Sequence, residues 1–319
     1  MNNSRRMLLK AIAAGVAAPM ASSVRAQGTV RRLIAGFTPG SVSDTVARVL
    51  SERLKLTSGD TYLVENRLGA GGLIAAQSVI RAEPDGKSIL VHSSAFTVAP
   101  LLRPKMIDTA NLTPLIALAS APTVLVTYPG RRFKSFQGLI EYARANPGKL
   151  FAASAGIGTS SHMNLERLKY AARIDITHVP MKGSPDALNE VIAGRADVYF
   201  AALAQALPYI KDGRLIPLAI GSPNRTPLLP DLPTTVEAGY PGSEYLAWFG
   251  ALISTATPAP LMSRLYTDFK TVLDEPDTKR RLVDLGCDPM PMSQAEFSEL
   301  IRKEFVSNAK LIKEANIKI

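Results

Sequence analysis

The chain has 319 residues, 46% hydrophobic and 20% charged, with a formal net charge of +10. That length supports a sizeable core in one or two lobes. The longest basic run is Lys279-Arg280-Arg281 with no aromatics interleaved, against a nucleic-acid surface, and one cysteine with three scattered histidines excludes a disulfide framework or structural zinc site.

Residues 1–26 read as an export signal. Ser4-Arg5-Arg6-Met7-Leu8-Leu9-Lys10 precedes a mildly apolar run over 11–18, and Val24-Arg25-Ala26 offers a cleavage site after Ala26. The paired arginines favour the twin-arginine route. The apolar run is shorter than the roughly 20 residues of a spanning helix, so a periplasmic protein with no membrane span in the mature chain is expected. The segment holds Arg5, Arg6, Lys10 and Arg25 and no acid, so its loss takes the net charge from +10 to +6.

Next comes the stretch over 33–48. Leu33-Ile34-Ala35 meets a Pro39-Gly40 turn and then a helix opening Ser41-Val-Ser-Asp44. Strand, glycine turn and capped helix together aim unpaired N–H groups and the positive end of a helix dipole at whatever lies above. The same pattern recurs over 150–170, through Ser154-Ala-Gly-Ile-Gly158 and Thr159-Ser-Ser-His162. Two such sockets imply an anionic ligand held between two lobes.

Further strands are expected at 62–65, 88–92, 123–127, 151–153, 177–180, 198–201, 216–220 and 249–253, with the first at 32–35. Their alternation with helical stretches predicts an α/β fold with mostly parallel sheets. Ser135 caps a helix ending at Asn146-Pro147-Gly148, and Ser184-Pro185 opens another ending at Gly194. Thr234 and Glu237 cap a short helix, Thr257-Pro258 opens one, and Ser293 with Glu296 forms a capping box before the last. The lobes are drawn as 27–121 plus 226–319, and 122–225.

Among side chains, Ser93 and Ser94 end a strand, where open α/β sheets place ligands. Lys182, in a Lys-Gly-Ser turn, can attract an anion or simply be solvated. His162 beside Ser160 and Ser161 raises a secreted serine hydrolase, but Ala152-Ala-Ser-Ala-Gly156 lacks the first glycine of a nucleophile elbow. Gly69-Ala-Gly-Gly72 matches a dinucleotide fingerprint only in part, with Ile74 at the third glycine position. No cofactor, no metal and no catalysis are expected.

Several segments together carry a resemblance: Leu63-Val-Glu-Asn-Arg-Leu-Gly-Ala-Gly-Gly72, Ala82-Glu-Pro-Asp-Gly86, Ala145-Asn-Pro-Gly-Lys149, Thr177-His-Val-Pro-Met-Lys-Gly-Ser184, Pro230-Asp-Leu-Pro-Thr234, Glu237-Ala-Gly239 and Trp248-Phe-Gly250. Over essentially the whole mature chain it resembles the substrate-binding proteins of tripartite tricarboxylate transporters, the Bug family. The resemblance implies a type II periplasmic-binding-protein fold, two lobes closing on a small organic carboxylate, and a membrane permease as partner. A monomer is expected, and a sensor accessory is the alternative. Carried over, the carboxylate contacts are Phe37, Thr38, Gly40, Ser41, Ser43 and Asp44 in the first lobe. In the second they are Ser154, Gly156, Gly158, Thr159, Ser160, Ser161 and His162. The family's second glycine after the proline is Ser41 here, and its Asp-Asn pair is Ala201-Ala202. An apolar wall at Ala201 suits a hydrophobic or aromatic acid and disfavours an amino acid.

Overall fold

The computed structural model describes residues 28–317, and the proposed export signal lies outside them. In chain order the elements begin β1 (Val30–Ala35), α1 (Val42–Ser58), β2 (Thr61–Asn66), α2 (Leu73–Ile80), β3 (Ser88–Ser93), α3 (Ala99–Leu102) and β4 (Leu112–Ala121). There follow β5 (Thr123–Thr127), α4 (Phe136–Ala145), β6 (Phe151–Ser154), α5 (Ser160–Ala172), β7 (Thr177–Pro180), α6 (Ser184–Ile192), β8 (Val198–Ala202), α7 (Leu203–Lys211) and β9 (Ile216–Ile220). The chain then returns through β10 (Ala247–Ser254), α8 (Ala259–Asp274), α9 (Pro276–Asp284), β11 (Asp288–Pro289) and α10 (Gln294–Glu314).

These strands make two sheets, ordered β11-β4-β10-β3-β1-β2 and β7-β6-β8-β5-β9. Each is mixed rather than mostly parallel in its pairings. In the first lobe β1 pairs in parallel with β2 and β3, while β10 is antiparallel to β3 and β4. In the second, β6 pairs in parallel with β7 and β8, while β5 is antiparallel to β8 and β9. The reason lies in the crossings. β5 and β10 are the strands that arrive from the other lobe. They start where the lobes meet and run away from it, against neighbours that end there.

Helices cover both faces of each sheet. In the first lobe, Val46, Leu50 and Leu54 of α1 pack with Leu265 and Phe269 of α8 over Leu33 and Val91. On the other face Leu73 and Ala76 of α2 and Phe297 and Ile301 of α10 cover Leu90 and Trp248. The second lobe repeats this, with Leu139 and Ile140 of α4 and Leu165 of α5 on one face. Leu188 and Val191 of α6 and Ala206 of α7 lie on the other.

The lobe boundary at 226 is corrected by packing. Leu229 and Leu232 pack into the second lobe's core, and Thr235 N–H donates to the Ile220 carbonyl at 2.9 Å. The chain therefore returns to the first lobe only near Tyr245, whose N–H bonds the Gly221 carbonyl at 2.9 Å. Within that segment both expected capping bonds form, Thr234 N–H to Glu237 Oε2 at 2.8 Å and Glu237 N–H to Thr234 Oγ1 at 3.1 Å. No helix follows them. Residues 235–239 form a turn, because Gly239 at φ +98° and Pro241 end it at once. The capping box at Ser293 and Glu296 and the Ser135 cap on Gly138 N–H form as expected.

The lobes also meet behind the crossings. Arg167 of α5 donates to Asn308 Oδ1 of α10 at 3.0 Å, and its guanidinium lies 5.2 Å from the Tyr245 ring. Asn308 Nδ2 donates to Thr97 Oγ1 (3.0 Å), which lies 2.8 Å from the Ser94 carbonyl and 2.9 Å from Glu304 Oε2. One hydroxyl proton cannot serve both oxygens, so a protonated Glu304 completes the set. Burial pushes Glu304 up to about 7, against Trp248, Thr97 and Arg167. A carboxyl with a folded pKa above its unfolded value gives most stability in acid and loses it as pH rises towards 7. Glu304→Gln should therefore raise the unfolding free energy at pH 8 by about 2 kcal/mol and change little at pH 4.5, measured by urea denaturation.

Candidate ligand-binding site

The cleft is built from three strand-to-helix turns. After β1, Asn66 Nδ2 donates to the Phe37 carbonyl (2.9 Å), and Gly40 N–H donates to Asp44 Oδ2 (3.0 Å). Asp44 is also held by Arg48 Nε (2.9 Å) and Asn66 Nδ2 (3.0 Å). Burial alone would raise its pKa, but Arg48, Gly40 and Asn66 together hold it below the usual carboxylate range. The Ser41 hydroxyl pairs with Ser43 Oγ at 3.2 Å and does not cap α1. The first-turn N–H groups of residues 42–44 thus have no capping side chain.

The turn after β6 does the same. Thr159, the N-cap of α5, spends its hydroxyl proton on the Gly156 carbonyl (2.7 Å) and lies 2.9 Å from Ser161 Oγ. Ser161 Oγ accepts from Ala155 N–H at 3.0 Å. The first turn of α5 is again uncapped. A third uncapped end, that of α6 with Gly183 as N-cap, opens on the same space.

These ends line one cavity of about 560 Å³, counting the part open to solvent. Nine hydroxyl-bearing residues are among its lining, Ser41, Ser43, Ser93, Thr123, Thr159, Ser160, Ser161, Ser184 and Tyr199. Its remaining wall is Phe37, Val42, Ala121, Ala155, Gly183, Phe200, Ala202, Ala247 and Phe249. No Lys, Arg, His, Asp or Glu is among the lining residues. The lobes touch around it. Gln205 Nε2 donates to the Gly40 carbonyl at 3.3 Å, and a Cβ built on Gly183 would meet Thr38 Oγ1 at 2.6 Å.

Of the residues expected at the site, Phe37, Ser41, Ser43, Ser93, Thr159, Ser160 and Ser161 line this cavity. Thr38, Gly156 and Lys182 instead line an adjoining space that shares Phe37, Ala155 and Thr159 with it. Gly40 does not reach the cavity, since its N–H belongs to Asp44, and Asp44 itself braces the turn from behind. Ser94 is fully buried, with its carbonyl accepting from Thr97 and Tyr245. Ser154 Oγ lies 2.6 Å from His178 Nε2, and Gly158 packs on Val98 and Ala99 of the other lobe. Ala201 points into the second lobe's core, and its neighbour Ala202 faces the cavity.

His162 is likewise displaced from the expected place. Its Nδ1 accepts from Gly158 N–H at 3.1 Å, its ring stacks on His178 at 4.0 Å, and Nε2 faces Glu166 at 3.8 Å. Neither nitrogen is paired with Ser160 or Ser161, so the hydrolase reading loses its base. Burial, His178 and Lys169 push His162 down to about 3, and burial and Lys169 push His178 down to about 4. Both are neutral in the fold. A histidine with a depressed folded pKa stabilises above its unfolded value and loses that stability as pH falls. The melting temperature should therefore drop steeply from pH 6.5 to 4 in a scanning-calorimetry series, with the drop reduced in His162→Phe.

Three comparisons bear on what such a cleft is. Residues 46–317 match the model of the tripartite tricarboxylate transporter family receptor. The chain belongs to that family. A protein from the tcbD-tcbE intergenic region of Pseudomonas sp. (strain P51) is 32% identical, covering 98% of this chain and 95% of its own. The solved structure of R. palustris Rpa4515 with adipate superposes with a TM-score of 0.85 at 30% identity, covering 91% of this chain and 98% of that one. The periplasmic binding protein BugD superposes at 0.83 and 29% identity, covering 91% and 98%. The two lobes are thus the type II periplasmic-binding-protein fold, and the family is one of solute-binding receptors, not enzymes. No described helix of this receptor is long and apolar enough to cross a membrane.

Ser184 and the start of α6 were expected as a helix opening but not as part of the site. The strand, the Lys-Gly-Ser turn and the proline-led helix follow the grammar of the first two turns, so the signal was present. Ala121, Thr123 and Ala247 gave none, because only the crossings bring them together, whereas Ala202 stood at the position of the family's Asp-Asn pair.

Proposed function

We propose that this chain is a periplasmic receptor that captures a small organic carboxylate between its lobes and delivers it to a tripartite tricarboxylate-type permease. The observation that carries this is the convergence of three uncapped helix N-termini on one cavity with no Lys, Arg, His, Asp or Glu in its lining. A carboxylate there takes amide and hydroxyl hydrogen bonds, each contributing about 1.5–3 kcal/mol. Helix ends add roughly 0.3–1 kcal/mol. A micromolar complex needs about 8 kcal/mol, which four or five such donors supply after ordering costs. Binding draws the lobes together, and the closed surface is what the permease recognises. The adipate held by the R. palustris relative supports the same ligand class.

The test is a thermal-shift and calorimetry panel of mono-, di- and tricarboxylates on protein refolded free of bound ligand. An acid at a hundredfold its dissociation constant should add about 2.7 kcal/mol of stability. A folded protein that responds to no carboxylate overturns the reading.

A further inference from the structure

Resting on that reading, we infer that the captured acid is a monocarboxylate with an apolar body, and that Ala202 helps select it. Sheet order separates the cavity into two ends. The anchoring turns follow β1, β6 and β7. The far end is where the chain crosses between lobes: Ala121 of β4 pairs with Ala247 of β10, and Thr123 of β5 pairs with Ala202 of β8. All four line the cavity. β10 lies two strands from β1, and β5 two strands from β6, with β8 and its Ala202 lying between β6 and β5. Two strand spacings are about 10 Å, room for a six-carbon chain or a benzene ring beyond the carboxyl group.

That far end offers little to a second charge. Three of its four residues are alanines, and Thr123 Oγ1, which accepts from Asn164 Nδ2 at 3.1 Å, leaves one hydroxyl proton there. Lys182 lines the adjoining space and not this one. A second carboxylate would be desolvated against alanine and phenylalanine with no counter-charge, whereas a methylene chain or ring gains by burial. Because these methyls sit on both crossings, the ligand body touches the strands about which the lobes close.

Calorimetry on ligand-free protein with benzoate, hexanoate, succinate, adipate and citrate tests this. The expected result is that benzoate or hexanoate binds at least tenfold tighter than each of the other three. Ala202→Asp should weaken that acid at least tenfold while the unliganded melting temperature holds, with Ala202→Ser, the milder change, falling between. Tighter binding of succinate, adipate or citrate overturns the inference and leaves the carboxylate reading standing. So does an unchanged monocarboxylate affinity in both Ala202 variants. Folded protein that binds none of the five overturns both.

Discussion

Asp44→Ala should lower the unfolding free energy by about 3 kcal/mol and weaken carboxylate binding at least tenfold. The residue is 1% exposed, and its carboxylate accepts from Gly40 N–H, Arg48 and Asn66. Removing one partner of a buried charged set costs about 3–5 kcal/mol, and Arg48, half exposed, can turn to water and soften that. The effect on binding has a different origin. Asn66 joins Asp44 to the Phe37 carbonyl, so one carboxylate fixes the turn that sets the first-turn N–H groups of α1. Urea denaturation and calorimetry read the two effects separately. Lost stability with unchanged affinity would reduce Asp44 to a helix-start residue. The contribution is also pH-dependent: a depressed carboxyl pKa stabilises above the unfolded value and is lost as pH falls through the folded one.

Gly286→Ala should abolish most ligand binding, a loss of about a hundredfold, at a cost of only about 1 kcal/mol in stability. Gly286 follows α9 at φ +66°, where a non-glycine residue is strained by about that much. A Cβ there would stand 2.3 Å from the Ala204 Cβ and 3.0 Å from its Cα, at the start of α7 in the other lobe. Backbone of the opposite lobe cannot give way as a side-chain tip can, so the variant holds the lobes apart. Gly213→Ala is the control. It has φ +69° and nothing within 4 Å of the added Cβ, so it shares the strain without the collision. Equal affinities in the two variants, read by calorimetry, would end the explanation.

The alternation of strands and helices, and the two glycine turns around Gly40 and Gly158, were legible because their signals are local. β4 was not. Leu112–Ala121 carries Pro114 and three alanines, lacks period-two alternation and is buried along most of its length. Helix α7 was missed because it follows β8 with no connecting residue and contains Pro208. At the site, the sequence located the turns but not which atoms were free. Gly40 N–H and His162 Nδ1 are consumed by partners four residues away, a pairing set by rotamers. The alanines at the far end belong to strands joined only by register, which no spacing along the chain reveals.

Arg167 and Asn308 also restrict how the molecule can yawn. Asn308 is fully buried and Thr97 beside it likewise, so a swing that parts Arg167 from Asn308 strands amide and guanidinium groups at about 1–3 kcal/mol each. Rotations pivoting near α5 and α10 keep that contact and are cheap, whereas those that slide the two helices apart are not. Solute entry is thereby confined to a narrow family of trajectories, and the vacant receptor should sample only a modest gape.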